Sequence, residues 1–272
     1  MVGLVQRYPL VSFYALAYAI TWTIAMPLLL SRRGLIDLEV SHALEPVAAF
    51  GPFVAAMLVA RAMAGRDGPR AILRSLGHWR VGAGWLGVSL FSPVLLLLVA
   101  LLIASSINSG DGFVTPSVGE LTTVAGLFDL VVVGGLLQAW GEEPGWRGFG
   151  LPRLRKRFGP LGATLALWPV WLCWHLPFFL SRPEFGWAQW AAFSIGILSA
   201  AIWLTLIWDG TRSVLMCIGW HASVNICRGL ALAVSTAAFL AISNLVLLAG
   251  LGIAISWAWR GRRRAANSGK SS

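Results

Sequence analysis

Acid is what this chain has least of for its size. Only 11 of its 272 residues are Asp or Glu, and charged residues make up 12% of it, where a soluble domain averages about 25%. Cysteine is scarce as well. Cys173, Cys217 and Cys227 fall in apolar runs with neither C-x-x-C spacing nor an even-numbered framework, which excludes a disulfide scaffold and leaves them as small buried hydrophobes. The H-E-x-x-H signature of zinc peptidases is absent, and no Ser or Cys sits in a recognisable nucleophile motif. There is no internal repeat of the sort that marks many secondary transporters, and no polar stretch long enough to fold alone. No aromatic-interleaved basic region is present to read a nucleic acid, so the net charge of +10 needs another explanation.

What fills the chain is hydrocarbon. It is 57% hydrophobic with a mean hydropathy of +0.75, more apolar surface than a soluble fold of this length could bury. Fifteen tryptophans suit the membrane–water interface, where indole is favoured. With about twenty apolar residues needed to cross a bilayer, eight segments qualify, near 9–30, 44–63, 84–106, 121–143, 161–180, 187–208, 213–232 and 236–258. The sequence therefore predicts an all-α, polytopic membrane helical bundle, one integral membrane domain over residues 1–260. WDGTR alone separates the sixth and seventh segments, so these two should form a tight antiparallel hairpin. The first segment lacks an A-x-A-like end and reads as a retained span.

Orientation follows from basic residues in the short loops. With the N-terminus cytoplasmic, 17 lysines and arginines fall inside and three outside (Arg32, Arg33, Arg182), while Arg228 lies within the seventh span. Both termini are thus expected in the cytoplasm of a bacterial cell membrane, with the basic loops against anionic lipid. Residues 66–80, RDGPRAILRSLGHWR, place Ile72, Leu73, Leu76 and Trp79 at helical spacing beside arginines and read as an interfacial amphipathic helix. Residues 261–272 read as a basic, disordered cytoplasmic tail.

Ionisable and amide side chains at membrane depth mark function by default. In WGEEPGWRGFGLPR (140–153), Glu143 and Arg147 are four apart and can pair, with the acid on the favoured side. Glu142 points about 100° away and is left out of that bridge. Pro144 and Gly145 should loosen the helix there. His175 sits among aromatics in the fifth segment. His221 and Asn225, four apart in the seventh, face the same way, with small residues between them. A carboxylate and a histidine can draw a proton from a shared water. A second histidine and an amide can stabilise the oxyanion formed on an attacked carbonyl. A zinc ion held by Glu142, His175 and His221, with a fourth position open, is the alternative.

EEPGWR (142–147) resembles the E-E-x-x-x-R motif of the CPBP family, the CAAX prenyl endopeptidases and bacteriocin-processing enzymes, and GFGLPRL (148–154) continues that family's pattern. WLCWH (171–175) is similar to its F-x-x-x-H motif, with Trp171 where phenylalanine is usual, and HASVN (221–225) to its H-x-x-x-N motif. The resemblance covers about the C-terminal half, with the motifs inside residues 140–226. It implies a glutamic intramembrane peptidase without cofactor. Glu142 would be the base, His175 its helper, and His221 with Asn225 the oxyanion site; Glu143, Arg147 and Trp171 would support the site or position substrate. The implied partners are membrane lipids and a hydrophobic or lipidated peptide or protein, reached through a cavity between the basic loops. A non-catalytic scaffold or bacteriocin self-immunity protein is the rival reading, and older descriptions of the family as metalloproteases keep zinc in view.

Overall fold

In hydrocarbon a long apolar run has one economical structure, because each N–H and C=O must find its partner within the segment. The protein is described by a computed structural model over residues 2–41, 43–107, 121, 123–183 and 185–268, helical almost throughout and with no strand among the described residues. A short α1 (Val2–Arg7) leads into α2 (Pro9–Arg32). Helices α3 (Leu44–Ala48) and α4 (Gly51–Ala64) form one span, interrupted just before Pro52, which has no N–H to give. Helices α5 (Asp67–Leu76) and α6 (Ala83–Ser106) precede the 31-residue α7 (Val124–Leu154). Then come α8 (Pro160–Trp174), α9 (Leu176–Leu180), α10 (Trp187–Thr211), α11 (Val214–Val234) and α12 (Thr236–Ser268).

Seven segments are long and apolar enough to cross a membrane, so the bundle is the expected one with a single exception among the eight spans. The fifth, expected over 161–180, divides at His175 into a 15-residue and a five-residue helix. Pro177 forces the division, since its ring clashes with the carbonyl one turn back. The fourth runs on past residue 143, because Trp146, Phe149 and Leu151 continue its buried face. It does so through two widened, π-helical stretches, Asp129–Leu137 and Trp146–Gly150, the second following directly on Pro144-Gly145. Helix α5 is shorter than the 66–80 expected but keeps its amphipathic character, burying Ile72 and exposing Leu73. Helix α12 extends to Ser268, through residues where a disordered tail is expected; residues 269–272 lie outside those described.

The bundle has two chemically distinct ends. At one, Arg155 pairs with Asp209 at 2.9 Å, and Ser213 donates to the carbonyl of His78. Arg212 turns the α10–α11 hairpin in a left-handed conformation (φ 54°), and Ser213 caps α11 by accepting from the Met216 N–H at 3.2 Å. At the other end, Glu45 holds Arg32 at 3.2 Å and Arg182 at 3.5 Å, and Arg33 donates to the Leu180 carbonyl.

Candidate active site

The site begins with two glycines that bring α7 against the α3–α4 span. A Cβ on Gly141 would stand 2.6 Å from the Ala49 carbonyl oxygen, and one on Gly145 would stand 2.5 Å from that of Pro52. Spaced four apart, they put a groove on one face of α7, and the backbones close into it. The two carboxylates between these glycines are directed elsewhere, Glu143 toward α11 and Glu142 toward α8.

Glu143 and Arg147, both with side chains at 0% exposure, form the expected i,i+4 pair, with Arg147 Nη1 donating to Glu143 Oε1 at 2.9 Å. The same oxygen lies 2.7 Å from His221 Nδ1. A carboxylate can only accept, so Nδ1 carries the proton and Nε2 is the free nitrogen of the ring. His175 is set in the same way, its Nδ1 lying 2.8 Å from the carbonyl oxygen of Trp171. Two imidazoles are thus oriented by their Nδ1 atoms, each with Nε2 left for other partners. Asn225 donates one amide hydrogen to the Gly134 carbonyl at 3.2 Å, in the widened part of α7, and keeps the other.

Trp171 binds these parts together. Its indole N–H donates to Glu142 Oε2 at 2.6 Å, its ring lies 4.1 Å from the Arg147 guanidinium carbon, and the edge of the His221 ring meets it at 5.8 Å. A phenylalanine at this position could supply the stacking but not the hydrogen bond to Glu142. The sequence offers this substitution as a packing variant; the structure makes it a direct ligand of the carboxylate.

Glu142, Trp171, His175, His221 and Asn225 all line one cavity of about 640 Å³, whose walls are otherwise mainly aromatic and aliphatic. Glu143 and Arg147 lie behind that wall. The cavity reaches from the carboxylate to Arg182, Phe185 and Gln189, and no residue of the basic segments 61–80, 153–157 or 209–212 lines it. The space expected between the basic loops is a separate pocket of about 460 Å³, lined by Asp67, Arg147, Arg153 and Arg212 among others. The site cavity instead extends among the aromatic residues after His175 and the first turns of α10, at the end opposite the Arg155–Asp209 pair. For the zinc alternative, no group of three or more His, Cys, Asp or Glu among the described residues is arranged to hold a metal ion. His175 and His221 have Nδ1 held by the Trp171 carbonyl and by Glu143.

Sequence reasoning brings together all seven residues the structure assembles here, but it misses three things. The Glu143–His221 bond joins residues 78 apart in sequence and has no local signal. The indole–carboxylate bond is likewise long-range. The Gly141-x-x-x-Gly145 groove, in contrast, is a small-xxx-small pattern readable from the chain. Residues 124–227 match the family described as Type II CAAX prenyl endopeptidase Rce1-like, a stretch that holds every one of these seven residues and supports the assignment to CPBP proteases made from the three motifs. No curated protein matches the chain.

Proposed function

We propose that this chain, a CAAX-type intramembrane protease by its family match, hydrolyses peptide bonds of membrane-associated or lipidated peptides with a water activated by Glu142. The observation carrying this reading is a buried carboxylate, 3% exposed and held by the Trp171 indole, on the wall of a cavity shared with two oriented histidines and an asparagine. The water sits between Glu142 and the free Nε2 of His175. Glu142 accepts its proton as the oxygen attacks the scissile carbonyl carbon. The tetrahedral oxyanion is met by the remaining Asn225 N–H and by His221, which donates from Nε2 when doubly protonated and balanced by Glu143. Collapse of the intermediate breaks the C–N bond, and the proton on Glu142 passes to the departing amine. Arg147 holds Glu143, and Trp171 holds Glu142; neither touches the reacting atoms.

With the basic loops cytoplasmic, the cavity faces the opposite leaflet, and peptides presented from that side are the first substrates to examine. Labelling of single cysteines placed at Gln189 and Arg66 from either side of intact cells tests this topology. The test of activity uses purified protein in lipid nanodiscs with farnesylated and unmodified peptides of one sequence, the cleaved bond being read by mass spectrometry. Glu142→Gln keeps the volume and removes the base, so cleavage should fall by at least about 10²-fold. A Glu142→Gln protein that cuts as fast as wild type would end this mechanism.

A further inference from the structure

The pocket among the basic loops takes no part in the chemistry above. It is enclosed by the C-terminal end of α4, by α5, by the end of α7 and by the α10–α11 hairpin. Gly68 lets α5 close on α4, since a side chain there would run into the Ala60 carbonyl. Three arginines line this pocket, Arg147, Arg153 and Arg212, against one acid. That acid, Asp67, is exposed and already pairs with Arg70 at 3.4 Å. The arginines are short of partners. Arg153 enters none of the ion pairs among the described residues. It gives Nη1 to the Phe149 carbonyl at 2.8 Å, and its guanidinium carbon rests 3.4 Å from the centre of the Phe149 ring. Arg212 has only a 3.9 Å contact with Asp209, an acid that Arg155 holds at 2.9 Å, and rests 4.1 Å from the centre of the Trp208 ring. Both rings line the same pocket. Arg147, fully buried, gives Nη1 to Glu143 and has no partner for Nε or Nη2.

Arginine does not give up its proton, and buried donors without acceptors are costly. A guanidinium that rests on an aromatic ring keeps in-plane N–H groups for an oxyanion. The ligand that suits such a pocket is compact, anionic and rich in acceptor oxygens, because it must answer more than one guanidinium and meets no acid that needs a donor. A phosphate group has that chemistry, and its charged hydrogen bonds to arginine are among the stronger ones in proteins. Depth points the same way. Helix α5 buries Ile72 and exposes Leu73, as a helix lying at the headgroup level does, and it forms one wall of the pocket. Basic pockets between spans on the cytoplasmic side suit anionic headgroups. We infer that this pocket binds a phosphate group, carried by an anionic lipid or free in solution, with Arg153 and Arg212 as its ligands and Arg147 as the buried charge behind them. Arg147 also holds Glu143, whose Oε1 lies 2.7 Å from His221 Nδ1, so the phosphate site and the catalytic wall share one guanidinium.

Binding is read without cleavage, so the inference stands or falls apart from the peptidase reading. Full-length protein in dodecyl maltoside, which carries no phosphate, is melted at fixed ionic strength with increasing inorganic phosphate, dihexanoyl phosphatidylglycerol or dihexanoylglycerol, the last having the same chains and no phosphate. At about a hundredfold excess over Kd, the phosphate-bearing ligand should raise the melting temperature by roughly 5–10 °C, and dihexanoylglycerol should not. The double variant Arg153→Gln/Arg212→Gln should lose the rise. Arg212→Gln alone, at a side chain 58% exposed and so tolerant of change, should weaken binding about tenfold and decides the matter if the double variant does not fold. A rise with both inorganic phosphate and phosphatidylglycerol would assign the site to the phosphate group itself, and a rise with phosphatidylglycerol alone to a lipid headgroup. Phosphorus that survives exhaustive detergent washing of wild type and is absent from the double variant would support the site in place of a titration. An equal rise with dihexanoylglycerol, or a rise undiminished in both variants, would overturn the inference. So would the absence of any rise in protein that retains no phosphorus.

Discussion

Replacing Arg147 with methionine should be the most destabilising single change in the site, and the structure sets its size. Both side chains of the Arg147–Glu143 pair are fully buried, so removing the cation leaves a carboxylate at membrane depth with only the His221 Nδ1–H to hold it. Breaking a buried pair in this way costs about 3–5 kcal/mol. Arg147 uses only one donor on Glu143, its Nε and Nη2 having no partner, which favours the lower half of that range. Loss of the guanidinium from above the Trp171 ring adds up to about 2 kcal/mol. At roughly 2–4 °C per kcal/mol for a chain of this size, the melting temperature should drop by roughly 10 °C. Glu143→Gln alone leaves the arginine uncompensated and should also destabilise. The double variant removes both charges and should recover much of the loss, giving a coupling of about 2 kcal/mol or more. Tryptophan-fluorescence melts in nanodiscs of wild type, both single variants and the double variant complete the cycle. Additive losses, with no coupling, would refute the claim that these residues stabilise each other in the bundle.

Other outcomes follow from the same contacts. Trp171→Phe keeps the ring stack but deletes the hydrogen bond to Glu142, so kcat should fall about tenfold or more while the melting temperature moves by only a few degrees. Gly145→Ala places a methyl 2.5 Å from a backbone oxygen of α4 and should cost about 1–3 kcal/mol by forcing the helices apart. Gly252→Ala, with nothing within 4 Å, should be neutral or slightly stabilising in parallel melts. Treatment with 1,10-phenanthroline should leave peptide cleavage intact, as no three metal-ligating side chains are grouped among the described residues. Inhibition reversed specifically by zinc would count against the glutamate mechanism.

Much of this molecule is legible in its sequence, and what is missing has a physical pattern. Hydropathy finds the spans because lipid leaves the backbone no alternative to helix. It misplaces the end of α7 and joins α8 to α9 because Pro144, Pro177 and the widened turns change helical geometry without changing hydropathy. The Glu143–Arg147 pair is readable because it lies four residues apart on one helix. The bond from Glu143 to His221 and that from Trp171 to Glu142 depend on how three helices pack, which periodicity does not encode. That the site residues line a cavity away from the basic loops is illegible for a related reason. Basic loops report which side of the membrane they occupy, but they say nothing of which space in the bundle the site residues line.

The most direct test of the central claim compares peptide C-termini in membranes and medium from cells carrying the wild-type protein or Glu142→Gln at matched expression. Termini present with the wild type and absent with the variant would establish Glu142-dependent hydrolysis and identify the substrate at once. Identical termini in the two strains, in cells where deletion of the whole protein has a phenotype, would contradict catalysis and leave a membrane protein that acts by binding alone.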